Sequence, residues 1–186
     1  MSLAAKNVHA DIGEFQRAYL YCVFLEDVPT PVKSAFPEWS SFRGKVNLYN
    51  TKAVFSNRKT EAITIKWSGE FFDIPGVDGS TRNQVFEFFD DEDMWVYDFF
   101  RACKDLTGNE DNQAGVRGID SKFNIGIAKV SVDKETITQY RRLVGCRVYE
   151  VNPGEASKDG TDVSKVQVEI RWDRNEEDTS MRGKTI

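Results

Sequence analysis

The sequence predicts a mainly β domain: an antiparallel sandwich or barrel of about seven strands, closed on one side by a single helix. Three observations carry this. Runs of alternating apolar and polar residues recur along the chain, separated by clusters of Gly, Pro, Asn and Asp. One segment, Asp91–Thr107, instead spaces its apolar residues as a helix does. Aromatic residues reach 12%, with 13 Phe, 6 Tyr and 4 Trp, and bulky flat side chains pack well on a pleated surface.

Taken in order, residues 1–17 are weakly patterned and read as an arm, with a short helical turn near Asp11–Phe15. Ala18–Leu25 is a dense β-type run. Glu26–Lys45 holds Pro29, Pro31, Pro37 and Gly44, so a long loop or extended hairpin is expected, because proline cannot serve a central strand. Val46–Phe55 is the next strand and Ser56–Lys59 a polar turn. In Glu61–Trp67 the residues Ile63, Ile65 and Trp67 alternate with Thr64 and Lys66, which predicts a half-buried strand. Phe71–Gly76 reads as a strand closing in a Pro75–Gly76 turn, and Asn83–Phe89 as another with Phe86 and Phe88 on one face.

The helix Asp91–Thr107 has Asp90 as its N-cap, with Asp91, Glu92 and Asp93 against the positive end of its dipole. Trp95, Phe99, Ala102, Cys103 and Leu106 form its apolar stripe, and Gly108 suits a left-handed cap. A polar loop, Gly108–Gly118, leads to a strand at Asn124–Val132. Its apolar parity switches between Ile127 and Ala128, which predicts a bulge or bend there. Thr136–Val151 follows, with Val144, Cys146 and Val148 on one face. After the turn-rich 152–160, Lys165–Trp172 places Val166, Val168, Ile170 and Trp172 on one side. The domain therefore spans 18–173, and the charged residues 174–186 read as a polar tail.

The search for chemistry returns no catalytic, cofactor-binding or metal-binding residues. The only histidine is His9, in the arm, and nucleophilic catalysis needs a base within reach of its nucleophile. Cys22, Cys103 and Cys146 lie far apart, so they read as buried small hydrophobes and not as zinc ligands; an intersubunit disulfide stays open. The acidic run Asp90–Asp93 fits a helix start better than a hard-cation loop. Gly115–Gly118 is too short for a phosphate cradle. Arg141–Arg142 reads as a solvated or intersubunit ion pair, and Trp67 and Trp172 as core residues before ligand-stacking ones. The net charge of −5 offers no basic footprint for tightly held nucleic acid. No run is apolar and long enough to cross a membrane as a helix. The opening residues lack the basic-then-apolar order of an export signal, so use without that route is expected.

Several segments, in order, resemble the tail tube protein of contractile-tailed bacteriophages, within the tail tube/Hcp-like fold superfamily. They are Phe15–Leu25; Tyr49–Gly76 with Thr51–Ala53 and Ile74–Gly76; Arg82–Asn109, a strand running into an acidic helix start; Val132–Thr138 with Leu143–Pro153; and Ser164–Asp173. The long Glu26–Lys45 segment and the charged tail depart from that pattern. The resemblance implies a non-enzymatic structural subunit without cofactors. Hexameric rings would stack into a tube whose inner strands join in one barrel, conducting DNA and tape measure protein during ejection. It implies sheath and baseplate as further partners, and a place in the virion after assembly in the bacterial host cytoplasm. Ring stacking falls to Glu26–Lys45, Ser56–Lys59 and the arm, and an acidic lumen would repel passing phosphates. A baseplate tube initiator, an Hcp-like secretion tube, or a monomeric ligand-binding β domain using Trp67 or Trp172 are the alternatives.

Overall fold

A computed structural model of the chain describes residues 21–38, 50–53, 60–67, 70–78, 81–90, 93–108, 115, 118–132, 135–154 and 165–185. The expected arm, most of the strand expected at Val46–Phe55, the expected turn Ser56–Lys59 and most of the expected loop Gly108–Gly118 lie outside them, as do residues 39–45 and 155–164. Among the described residues there are nine strands: β1 Tyr21–Glu26, β2 Asn50–Lys52, β3 Thr60–Trp67, β4 Glu70–Asp78, β5 Asn83–Phe89, β6 Phe123–Val130, β7 Ile137–Asn152, β8 Lys165–Arg171 and β9 Arg174–Glu177. Two α-helices, α1 Thr30–Ala35 and α2 Trp95–Asp105, and a 3-10 turn at Thr179–Met181 complete the order. All strand pairings are antiparallel.

The main sheet runs β1-β6-β7-β8-β5-β2, with β9 also on β7. β7 belongs to both halves. Its first part pairs with β6 and β9, and its last part, from Arg147, pairs with β8. The strand bends between the two at Gly145, whose φ is +72°, a conformation that costs other residues about 1–2 kcal/mol. Asn124 Oδ1 accepts the Gly145 N–H at 3.0 Å, and the Asp173 N–H reaches Val144 O at 3.0 Å. A Cβ at Gly145 would collide with the Asp173 carboxylate, which is itself paired with Lys122. β8 and β9 are thus one antiparallel partner along β7 from Arg141 to Asn152, interrupted at Trp172–Asp173 where β7 turns.

The bend folds one half-sheet over the other and creates the core. Val23 and Leu25 of β1, Ile125 and Ile127 of β6 and Leu143 of β7 meet Phe86 and Phe88 of β5 and Val166, Val168 and Ile170 of β8. Helix α2 adds Val96, Phe99, Phe100 and Cys103. Phe88 and Phe100 have ring centroids 5.0 Å apart, and Phe99 stacks on Trp95 at 5.4 Å. Each fully buried aromatic or branched side chain contributes about 1.5–3 kcal/mol of transfer free energy.

The mainly β sandwich/barrel with its flanking helix is the observed class, and several expectations need correction in detail. The helix begins at Trp95, four residues later than expected. Asp90 still caps it: Oδ1 accepts the Val96 N–H at 3.0 Å and Oδ2 the Tyr97 N–H at 3.3 Å. Gly108 donates to Lys104 O but lacks the left-handed conformation expected of it. The proline-rich loop contains α1, which sequence reasoning missed. Pro31 sits in its first turn, where a missing N–H costs nothing, and Val32 is buried.

Pro75–Gly76 is no turn. β4 runs through it, with Pro75 opposite Ala62, because no described strand lies on the other side of β4 to demand the proline N–H. The parity switch at Ile127/Ala128 is not a bulge, since both residues lie in unbroken register. Ala128 instead joins a second cluster on the opposite face, with Ile137 and Tyr140. On β7 it is Leu143, not Val144, that joins Cys146 and Val148 in the core, because the bend at Gly145 resets the alternation. Residues 174–186 are not a loose tail. β9 pairs with Arg141–Val144, Met181 packs on the second cluster, and Thr185 bridges to Thr136.

Candidate assembly surfaces

The hairpin β3–β4 forms a separate two-stranded sheet. Its strands contact each other far more than any other described element. Register places Ile63 opposite Ile74 and Ile65 opposite Phe72 on one face. The other face carries Thr64, whose hydroxyl donates to Asp73 at 2.6 Å, and Lys66 with its ammonium 5.6 Å from the Phe71 ring centre. The alternation expected of Glu61–Trp67 is present, but the burial is not: Ile63 is 50% exposed, and Ile65 and Ile74 are each 44% exposed. Among the described residues nothing covers this apolar face.

A second surface is the outer side of β2, β5, β8 and the end of β7. Alternation sends Phe86, Phe88, Val166, Val168 and Ile170 inward. It turns Asn83, Val85, Glu87, Gln167, Glu169 and Arg171 outward, and no described element packs on them. Lys52 Nζ pairs with Glu87 at 3.1 Å, and Arg171 with Glu169 at 2.9 Å while its guanidinium lies 4.1 Å from the Tyr149 ring centre. Lys165 stands 5.9 Å from the ring centre of Phe89. Among the described strands, β1 and β2 lie at the two ends of the strand order.

The candidate chemical residues are dispersed or occupied. Arg142 is spent within the subunit, with Nε 2.8 Å from Glu26 and a terminal nitrogen 3.1 Å from Asp27. Trp172 is only 4% exposed and belongs to the core, so it offers no ring to a ligand. Trp67 ends β3 opposite Glu70, and its side chain lies outside the described ones, as does all of His9. Cys103 and Cys146 are buried, and burial pushes both thiols up, which suppresses thiolate chemistry. Cys22 is half-buried, and none of the three cysteines is in a disulfide. Gly118 O accepts from Arg147 at 3.2 Å and from Ser121 at 3.2 Å, a turn held by carbonyl contacts and not an anion cradle. Among the described residues no three His, Cys, Asp or Glu side chains converge as metal ligands, and no helix is long and apolar enough to cross a membrane.

No protein-family model matches the chain, and none of the curated proteins matches it by sequence. Solved structures do match its fold. The chain is similar to one from the anti-feeding prophage cap, the AFP tube terminating cap, with TM-score 0.62 and 13% identity over 96% of this chain and 99% of that one. It is similar to a chain of the PVC sheath–tube complex, an extracellular contractile injection system in the extended state, with TM-score 0.58 and 12% identity over 96% and 99%. A chain of the PVC sheath/tube terminator aligns with TM-score 0.58 and 12% identity over 90% and 99%.

The chain has the tail-tube fold. Within this fold the hairpin and the outward sheet face are surfaces that the described residues leave uncovered. Sequence reasoning missed both as surfaces: an amphipathic strand looks the same whether its apolar face meets its own core or another molecule.

Proposed function

We propose that the chain is a non-enzymatic structural subunit of the inner tube of a contractile system, in the manner of a phage tail tube. Copies close into hexameric rings, the rings stack, and sheath and baseplate proteins are their outer and end partners. The observation that carries this reading is the hairpin β3–β4. Its three isoleucines stand about half exposed. Each therefore leaves on the order of 1 kcal/mol of burial unrealised in a lone subunit. A two-stranded hairpin is also at best marginally stable by itself in water. Both costs are removed when the apolar face lies on a neighbouring copy. Repeated head-to-tail contacts of this kind close into rings or extend as filaments, and the likeness in fold to tube and cap proteins supports a stacked tube among those outcomes.

Negative-stain microscopy of the purified full chain tests the reading. Long hollow filaments support a tube subunit. Rings that never elongate favour a baseplate initiator. A chain that sediments as a monomer at high concentration overturns assembly and favours a ligand-binding domain.

A further inference from the structure

We propose, resting on the assembly reading above, that the turn Gly118–Ser121, with Arg147 beside it, is the surface on which the β3–β4 hairpin of the next copy lies. The hairpin calls for a partner that is both apolar and positively charged. Its uncovered face carries Ile63, Ile65 and Ile74, and register puts Glu70, opposite Trp67, on that same face at the end of the hairpin. Glu61, Asp73 and Asp78 add to the negative charge, against one cation, Lys66. That cation lies on the other face, over the Phe71 ring.

Ile119 meets the apolar requirement. It is 77% exposed, more than any other large hydrophobic among the described residues. The turn that carries it is tied down. Ser121 is buried and donates its hydroxyl to Gly118 O at 3.2 Å, and the Lys122 N–H reaches Ile119 O at 3.4 Å. Arg147 Nη2 donates to the same Gly118 carbonyl at 3.2 Å. The isoleucine is therefore held out into water by a fixed backbone, and a partner that covers it pays little ordering entropy.

Arg147 meets the charge requirement. Arg171 lies opposite it on β8, and like charges so placed are unfavourable. Arg171 is answered within the subunit, by Glu169 at 2.9 Å and by the Tyr149 ring. Among the described residues Arg147 has no carboxylate, only the Gly118 carbonyl. The other exposed apolar residues outside the hairpin stand beside acids, which would repel it. Val85 is in register with Glu169, Met94 follows Asp90–Asp93, Val132 precedes Asp133, and Tyr149 precedes Glu150. Glu70 of one copy thus pairs with Arg147 of the next while the isoleucines cover Ile119. The two surfaces are different parts of the chain, so the contact runs head to tail and passes from copy to copy.

The test measures, by sedimentation, the concentration above which the full chain assembles. The variants are Arg147→Glu, Glu70→Arg, the two together, and Ile119→Asp. Each single variant should raise that concentration by about tenfold or more, the scale of a close interfacial charge pair. The double variant restores the pair with its signs exchanged and should return to within about threefold of wild type. If Arg147→Glu does not fold, Glu70→Arg and Ile119→Asp, both at exposed positions, decide: both must raise the threshold. A double variant whose losses multiply overturns the pairing, and an Ile119→Asp chain that assembles like wild type overturns the turn as the receiving surface. In both cases the hairpin reading stands if Ile63→Asp/Ile65→Asp still abolishes assembly. Tubes that survive Ile63→Asp/Ile65→Asp, or a wild-type chain that never assembles, overturn the reading on which this one rests.

Discussion

The hydroxyl of Tyr140 on β7 donates to the carboxylate of Glu26 on β1 at 2.8 Å, reaching across the intervening strand β6. The crossing is possible because Gly126 lies beneath it, in register between Phe24 and Arg142. A Cβ at Gly126 would fall inside van der Waals contact with the Tyr140 oxygen and ring. Glu26 also meets Arg142, which ties on to Asp27, and Asn124 donates to Asp27 at 2.7 Å while accepting from Gly145. One polar network thus joins β1, β6 and the bend in β7.

Gly126→Ala is expected to destabilise the subunit by about 1–3 kcal/mol, the usual cost of overpacking. Adding Tyr140→Phe should recover part of that loss, since the oxygen is the nearest atom. A denaturant-unfolding cycle of the two single variants and the double variant checks this. Additive losses would mean that the two residues do not meet.

Tyr140 also predicts an alkaline limit. Burial first, and the Glu26 carboxylate second, push its phenol above the ordinary tyrosine value. A group whose folded pKa is raised contributes stability below its unfolded pKa, about 10 for tyrosine, and loses it as pH climbs toward the folded value. Tyr21, Cys103 and Cys146 are raised as well, chiefly by burial, and add losses of the same sign. Urea midpoints should hold up to about pH 8, where the unfolded thiols begin to ionise, and then fall, more steeply above about pH 10 where the phenols join them. Tyr140→Phe should be less stable at neutral pH but fall less steeply above about pH 10.

Asp90→Ala should cost about 0.5–2 kcal/mol through loss of the α2 cap. Asp90→Asn, which keeps one acceptor oxygen, should cost less. Thermal unfolding by circular dichroism separates the two. The mild outcome for alanine would be that of an exposed carboxylate with no partner, contrary to its contacts with Val96 and Tyr97.

A chain ending at Asp173 distinguishes a folded C-terminus from a disposable tail. The cut removes β9 from Arg141–Val144 and Met181 from the cluster around Ala128, Ile137 and Tyr140. Losing one partly buried methionine and a four-residue pairing should cost a few kcal/mol, the methionine alone contributing less than the about 2–5 kcal/mol of a fully buried Met truncation. A shift in midpoint too small to measure would restore the tail reading.

The legible parts of the fold were those governed by local period. Asn83–Phe89 has the observed bounds, and its Phe86 and Phe88 face the core as alternation requires. Asp90 was legible as a cap because carboxylates suit the positive end of a helix, although the helix start was not: Met94, with φ +53°, turns the chain before it. The misread parts depend on tertiary partners. Residues 174–186 look like a tail because only pairing with β7 makes a strand of Arg174–Glu177. Pro75 looks like a turn until β4 is seen to pair, among the described strands, on one side alone. For the site, Ile63 and Ile65 announced an apolar face, but no single strand can say whose core it serves. Charge balance on the outward sheet face was equally hidden, since Lys52, Glu87 and Arg171 come together only through the β2–β5–β8 register.

The hairpin separates folding from assembly most cleanly. Ile63→Asp together with Ile65→Asp places two charges on a face that the lone subunit already exposes to water. Exposed substitutions away from packing usually change stability by no more than about 0.5 kcal/mol each. The subunit should therefore unfold within about 1 kcal/mol of wild type, with a small added penalty from pairing losses across to Ile74. At an interface the same charges would be desolvated without partners, at a cost of several kcal/mol per contact. Repeated at every copy, that cost should abolish rings and tubes altogether. Sedimentation velocity and unfolding midpoints on the same preparation decide the matter. Lost assembly with an intact subunit assigns the face to an intermolecular contact. Intact tubes would show that the isoleucines stay in water, and lost folding would show that the hairpin face is packed within the subunit.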